Sequence, residues 1–367
     1  MKDYNCENIR NVCLLGHGNA GKTTLAEAML FMTGATDRFG SVVDGNTVMD
    51  YDHEEIKRKF SISTSLAPVE WNDIKINIID TPGYLDFVGE KLEGVSVADG
   101  AIILVGAKDG LQVGTEKAWA AVNEKKIPRM FFISKLDEEN SDFSKVFDQL
   151  KNKFGNCVVA LQVPIIENGQ LKGIVDIPKM KAIYFNGKDC VEGQIPENML
   201  SQIETYKEGI AEVVAETDEE LMEKYFSGED LTEEEIRTAV REGVVCGDVV
   251  PVVCGSAVNN QGVTTLMDTI IGYLPAPGEC GGETGVNPQT EDPVERTYSA
   301  SEPFSALVFK TVVDPFVGKL SLFKVLSGEL TTGVTVYNPN KDKAEKINNI
   351  YFLRGKKQEA TDKVVTG

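Results

Sequence analysis

The sequence predicts an α/β protein: a doubly wound, largely parallel sheet carrying an inserted α+β subdomain, followed by a small antiparallel β-barrel. Three observations point there. Five short runs in the first 255 residues are continuously apolar, "NVCLLG", "KINIID", "AIILVG", "RMFFIS" and "VVPVVCG", as strands covered on both faces are. Segments with helical spacing lie between several of them. After a stretch rich in Pro and Gly, the pattern changes to strands and turns.

The first run, residues 11–16, passes through a glycine-rich turn into "KTTLAEAMLFMTG", which has helical periodicity and a terminal glycine. Runs follow at 75–80, 101–106 and 129–134. The segment "VGTEKAWAAVNEKK" between the last two begins polar and ends basic, as a helix dipole favours. Residues from about 157 to 247 break the rhythm. A β-rich stretch turns at Asn168-Gly169, and acidic amphipathic helices follow it. In "LTEEEIRTAVREG", Thr232 and Glu235 form a capping-box pattern and Gly243 is the expected stop. The sheet pattern resumes at Val249, so this part reads as an insertion in a first domain of residues 1–275. Residues 276–302 read as a linker and 303–367 as the barrel, incomplete at "KVVTG".

Composition narrows the function classes. A formal net charge of −20 repels naked DNA and other bare nucleic acid. Seven cysteines without a C-x-x-C pair argue against disulfides and structural zinc. The polar start and the lack of an 18-residue apolar run argue against a membrane partner. A cytoplasmic monomer is expected.

Chemistry concentrates at the ends of the apolar runs. Gly16-His17-Gly18-Asn19-Ala20-Gly21-Lys22-Thr23-Thr24 fits G-x-x-x-x-G-K-[ST] between a strand and a helix. Glycines there let backbone N–H groups face phosphates, and the helix N-terminus adds positive potential. Lys22 reaches the β- and γ-phosphates, and the Thr23 hydroxyl suits Mg²⁺. Asp80-Thr81-Pro82-Gly83 ends the second strong run. Asp80 is expected to hold Mg²⁺ through water, and the Gly83 N–H to sense a γ-phosphate. Ser134-Lys135-Leu136-Asp137 ends the fourth run. Asp137 can accept two hydrogen bonds from guanine, and Lys135 can lay its stem over the base. Cys254-Gly255-Ser256-Ala257 ends the fifth, where a backbone N–H of Ser256 or Ala257 meets the guanine oxygen. Alone, each of the last three motifs also reads as an ordinary strand-end turn. Their order and spacing make a set.

With these motifs, and with "VMDYDHEEIKRKFSIS" and "QVPIIENGQLKGIVDIPKMKAIYF", the sequence resembles the translational GTPases, and within them elongation factor G. The resemblance implies GTP/GDP and Mg²⁺ as ligands, the ribosome as partner and GTP hydrolysis as activity, with Lys22, Gly83 and Tyr84 at the reacting phosphate. Four positions depart from the family pattern. Tyr84 stands where the family has a water-orienting histidine. A phenol, with a pKa of about 10, is a weak base whose hydroxyl can still hold a water. It either does so or packs away from the nucleotide. Ser134 replaces an asparagine. Arg58-Lys59-Phe60-Ser61 replaces R-G-I-T in the first switch. Ser61 keeps a hydroxyl for Mg²⁺, and Lys59, in place of glycine, is expected to alter the backbone. Asn19 replaces an aspartate that can help hold a monovalent cation. These departures suggest a paralogue and open a second reading, a nucleotide-dependent ribosome binder with little hydrolysis. A third, an unrelated phosphate-loop enzyme using adenine nucleotides, is opposed by Asp137 and the C-G-S-A stretch. A basic cluster, Arg354, Lys356 and Lys357, reads either as an RNA contact or as a solvated hairpin.

Overall fold

The computed structural model describes every residue except 1, 3, 188, 289 and 315–317. The chain opens with β1 (Ile9–Gly16), α1 (Lys22–Met32), α2 (His53–Arg58), β2 (Ser65–Trp71), β3 (Ile74–Asp80) and α3 (Val88–Val95). It continues through β4 (Gly100–Gly106), α4 (Val113–Glu124), β5 (Arg129–Ser134), α5 (Phe143–Phe154) and β6 (Val158–Ala160). The five expected strands all form. Their side chains are buried end to end in β1, β4 and β5, because helices cover both faces.

An excursion follows: β7 (Gln162–Glu167), β8 (Gln170–Asp176), β9 (Lys181–Asn186), β10 (Asp189–Gly193), α6 (Leu200–Ala215), α7 (Glu219–Ser227) and α8 (Glu233–Cys246). Then β11 (Val250–Cys254) and α9 (Val263–Tyr273) complete the first unit. The main sheet has the order β2-β3-β1-β4-β5-β11-β6. All neighbours are parallel except β2 and β3, which form an antiparallel edge hairpin. Asn72 and Asp73, at φ 47° and 57°, make its turn. The chain leaves β1 toward one edge of the sheet and leaves β3 toward the other. The crevice beyond the carboxyl end of β1 is where such sheets bind ligands.

The insertion is bounded by two strands of the main sheet. β6 and β11 both lie there, so the excursion runs from after Ala160 to before Val250, against an expected span of about 157 to 247. Its four strands form a separate antiparallel sheet, β10-β9-β8-β7. Asn168 and Gly169 turn it with φ 51° and 73°. The Thr232–Glu235 capping box is present. Gly243, however, does not stop α8. The helix runs to Cys246, and Gly247 caps it at φ 90°. Gly243 is a packing position instead: a Cβ there would lie 2.4 Å from Val249 Cγ2.

The expected linker is structured as well. β12 (Glu283–Val286) and β13 (Pro293–Arg296) form a hairpin within it. Beyond lie β14 (Ser305–Asp314), β15 (Gly318–Ser327), β16 (Glu329–Thr331), β17 (Thr335–Asn338), β18 (Lys343–Lys346), β19 (Ile350–Arg354), β20 (Lys357–Thr361) and β21 (Lys363–Val365). Among the described residues these pair two by two, all antiparallel, rather than as one continuous barrel ladder. All seven cysteines are free thiols. Among the described residues, no helix is long and apolar enough to cross a membrane.

Candidate functional site

Four strand ends build one crevice. At the end of β1, Gly16 has φ 141°, and a Cβ there would lie 2.5 Å from the Leu104 carbonyl oxygen, so the loop starts where only glycine fits. Gly21 caps α1 at φ 96°. Asn19 takes φ 64° and is exposed at the loop tip. Lys22 is 6% exposed, and its Nζ donates to the carbonyls of His17 (2.9 Å) and Gly16 (3.4 Å). Burial pushes this ammonium below its ordinary pKa, while Asp80 and Asp50 oppose the shift. His17 Nδ1 accepts from the Gly114 N–H at the start of α4 (3.2 Å).

The end of β3 faces this loop. Asp80 is 2% exposed and its Oδ1 has no hydrogen-bond partner. Burial, then the nearby Asp50 carboxylate, pushes its pKa up. Gly83 lies against the phosphate loop: a Cβ on it would sit 2.4 Å from Lys22 Nζ and 2.7 Å from Gly18 N. The next residue, Tyr84, turns its ring onto Gly18 and packs on Phe60, with ring centroids 4.7 Å apart.

The two hydroxyls expected at a metal come together. Thr23 Oγ1 and Ser61 Oγ are 3.0 Å apart, although 38 residues separate them. Asp50, a residue the sequence reading passed over, joins them. It is 4% exposed, its Oδ2 has no partner, and burial raises its pKa to about 6. Two hydroxyls and two buried carboxylates with unpartnered oxygens are a hard-oxygen donor set that fits Mg²⁺.

The first switch is ordered by buried acids that carry no local motif. Glu27 Oε1 accepts from the N–H groups of Val48 (2.7 Å) and Met49 (3.1 Å). Asp52 caps α2 in a capping box with Glu55. Glu55 Oε1 also accepts from Ile62 (2.9 Å) and Ser63 (3.0 Å). Lys59 adopts φ 63° and ψ 35°, a left-handed conformation that glycine takes freely and other residues rarely.

At the ends of β5 and β11, Ser256 Oγ donates to Asp137 Oδ1 (2.5 Å). Lys135, at φ 63°, pairs with Glu138 (2.9 Å). Ala257 lies one residue on, 8% exposed. Ser134 is 2% exposed and its hydroxyl donates to the Ala20 carbonyl (2.8 Å), tying the end of β5 to the phosphate loop.

Residues 7–276 match the elongation factor Tu GTP binding domain, and residues 303–367 match elongation factor G domain 2. The chain belongs to the translational GTPases of this family. The crystal structure of ttk003000868 from Thermus thermophilus is similar over 98% of this chain, with a TM-score of 0.86 and 31% identity. This chain covers 51% of that one, so it spans about half its length. The family match implies guanine-nucleotide binding, and the four motifs lie at the carboxyl ends of the strands, where open α/β sheets bind ligands.

The second unit of this translational GTPase packs on the first beside the end of α1 and along β2. Arg354 donates to the Ala35 carbonyl (2.9 Å) and the Gly355 N–H to the Leu66 carbonyl (2.8 Å). Lys357 pairs with Glu359 (3.1 Å). Of the basic cluster, Arg354 is therefore used within the protein.

Proposed function

We propose that this chain binds Mg²⁺·GTP and hydrolyses it while associated with the ribosome, as elongation factor G does. The observation that carries the reading is the pairing of Thr23 and Ser61 hydroxyls 3.0 Å apart beside the unpartnered Asp80 oxygen. Gly16 to Thr24 cradle the phosphates. Thr23 and Ser61 would hold Mg²⁺ and Asp80 would do so through water, with Asp50 beside it. When bound, the ion neutralises charge on the β- and γ-phosphates. Lys22 supplies a second positive charge there, and the Gly83 N–H ties the γ-phosphate to the second switch. Asp137 accepts from the guanine edge while Ser256 holds its other face, and a backbone N–H of Ser256 or Ala257 meets the guanine oxygen. A monovalent cation beside Asn19 belongs to the same reading, as does a cytoplasmic setting. The division is a nucleotide-binding domain to about residue 275 and a second domain from about 303. Purified protein mixed with GTP, with and without ribosomes, tests it. Phosphate release above background is expected; none in either case sinks the hydrolase reading.

One observation favours a second reading, a nucleotide-dependent ribosome binder with slow turnover. The Tyr84 ring is engaged by Phe60 and Gly18, and loss of a positioned general base costs about 10²-fold or more. Tyr84→His separates the two. A large gain in ribosome-stimulated turnover means a detuned but intact site, and an unchanged rate means Tyr84 is either already competent or irrelevant to the step.

A further inference from the structure

We infer that Lys310, in β14 of the second unit, is a positioning residue for the metal-ligating segment of the first switch. This rests on the GTP reading above. Lys310 is 7% exposed, and its three acceptors lie on Ser63 and Thr64, just before β2, and on Glu90 of α3, in the stretch that follows the Gly83 turn. Its Nζ donates to Ser63 Oγ (2.7 Å) and to the Thr64 carbonyl (2.9 Å), and it forms an ion pair with the Glu90 carboxylate in α3. Glu90 closes the knot. Its Oε2 accepts from the Thr64 N–H (2.6 Å) and the Ser63 hydroxyl (3.1 Å), and its backbone carbonyl accepts from the Thr64 hydroxyl (2.6 Å). Burial pushes the Glu90 pKa up, but Lys310, Thr64 and Ser63 together outweigh it and hold the carboxyl below its ordinary value.

Ser63 lies two residues beyond Ser61, whose hydroxyl meets Thr23. Glu90 lies seven beyond Gly83 on the same stretch that leaves β3. One buried cation therefore fixes where the metal-ligating serine and the γ-phosphate-sensing turn stand relative to each other. A buried ammonium with three oxygen partners is costly to leave unpaired, so these segments and Lys310 hold or release together.

A second cross-unit ion pair shows what a constant joint looks like. Lys324 of β15 reaches Asp99 (2.5 Å), which also accepts from Asn11 at the start of β1 (2.6 Å). Those partners stand in β1 and immediately before β4, away from the switch segments. The second unit is thus fixed to the rigid body through Lys324 and to the nucleotide-sensing loops through Lys310. Release at Lys310 frees the switches while Lys324 keeps the two units together.

The test uses the whole chain with Lys310→Met, Lys310→Arg and, as a control, Lys324→Met. Fluorescent GTP and GDP report affinity at several Mg²⁺ concentrations. Trypsin reports exposure of the switch at Lys57, Arg58 and Lys59. Coupled neighbours typically change an equilibrium about tenfold, so K310M is expected to weaken GTP about tenfold relative to GDP and to raise the Mg²⁺ needed for GTP. It is also expected to speed cleavage at 57–59. K310R restores most of both, and K324M leaves the GTP-to-GDP ratio unchanged. A K310M protein with wild-type ratio and wild-type cleavage overturns the inference. If the unsubstituted chain binds neither nucleotide, the GTP reading fails instead, and the trypsin arm alone decides whether Lys310 holds the switch.

Discussion

The ring of Tyr84 fills the space that a side chain on Gly18 would need: a Cβ there would lie 3.3 Å from Tyr84 Cζ. A glycine of the phosphate loop and the residue after the D-T-P-G turn are thus fitted to each other, and Phe60 packs on the same ring. The substitution of a tyrosine at position 84 is a packing feature of three residues, whatever its hydroxyl does to water.

This fit predicts coupling. Tyr84→Ala forfeits an aromatic contact of about 0.5–1.5 kcal/mol. Gly18→Ala in the native background presses on the ring, whereas in a Tyr84→Ala background the same methyl has room. A double-mutant cycle on GTP affinity and on urea unfolding is expected to show Gly18→Ala costing less when Tyr84 is gone. Additive effects would mean the ring moves aside freely.

Ser134 is expected to matter more to the phosphate loop than to the base. Its hydroxyl is buried on the Ala20 carbonyl. Ser134→Ala removes that bond and leaves a buried carbonyl unpaired, a loss of about 1–3 kcal/mol. Denaturant unfolding measures it. GTP and GDP affinity are expected to fall together, because the loop serves both.

The end of α8 can be tested with two glycines. Gly247→Ala forces an L-residue into φ 90°, a strain of about 1–2 kcal/mol. Gly243→Ala has ordinary helical backbone but drives a methyl into Val249, an overpacking cost of about 1–3 kcal/mol. Both are expected to lower the unfolding midpoint. A stabilised Gly243→Ala would show that Val249 yields.

Most of the fold was legible because long-range order wrote itself locally. Runs such as Ala101-Ile102-Ile103-Leu104, short, rich in isoleucine and bounded by glycines, read as covered strands, and the glycine-rich turn at Gly16 marks the phosphate loop. What stayed hidden was held by single buried groups. Asp50 looks like any loop aspartate until Thr23, Ser61 and Asp80 converge on it. Glu27 and Glu90 act on backbone N–H groups more than twenty residues away, and Glu55 reaches past its own helix to Ile62 and Ser63, which no spacing rule reports. β2, with Pro68 and Glu70, lacks the apolar run of its neighbours because it is an edge strand. Gly243 misled because a glycine near a helix end serves packing as often as it serves termination.

Stability is expected to vary with pH through Lys75. The side chain is 7% exposed, with Nζ 4.3 Å from the Phe352 ring centroid. Burial lowers its pKa from the ordinary 10.5 to about 8. Between those values the unfolded chain holds more protons than the folded one, so this group's contribution to stability rises with pH; below about 8 its full cost is present. Lys75→Met is therefore expected to stabilise the protein at neutral pH by up to about 3 kcal/mol, less whatever the Phe352 contact returns. The gain should shrink as pH approaches 10.5. Thermal unfolding of both proteins from pH 7 to 10 measures it, and a pH-independent difference would contradict it.

The contact between the Gly355 N–H and the Leu66 carbonyl also bears on colloidal behaviour. β2 is the last strand on its side of the main sheet, and an uncovered edge invites pairing with another molecule. Pro68 removes one donor from that edge, and the β19–β20 hairpin docks across it. The second unit thus serves as a bumper for the first. Any event that swings it away exposes a sticky sheet margin, so the state with parted units should be the one that precipitates first on concentration.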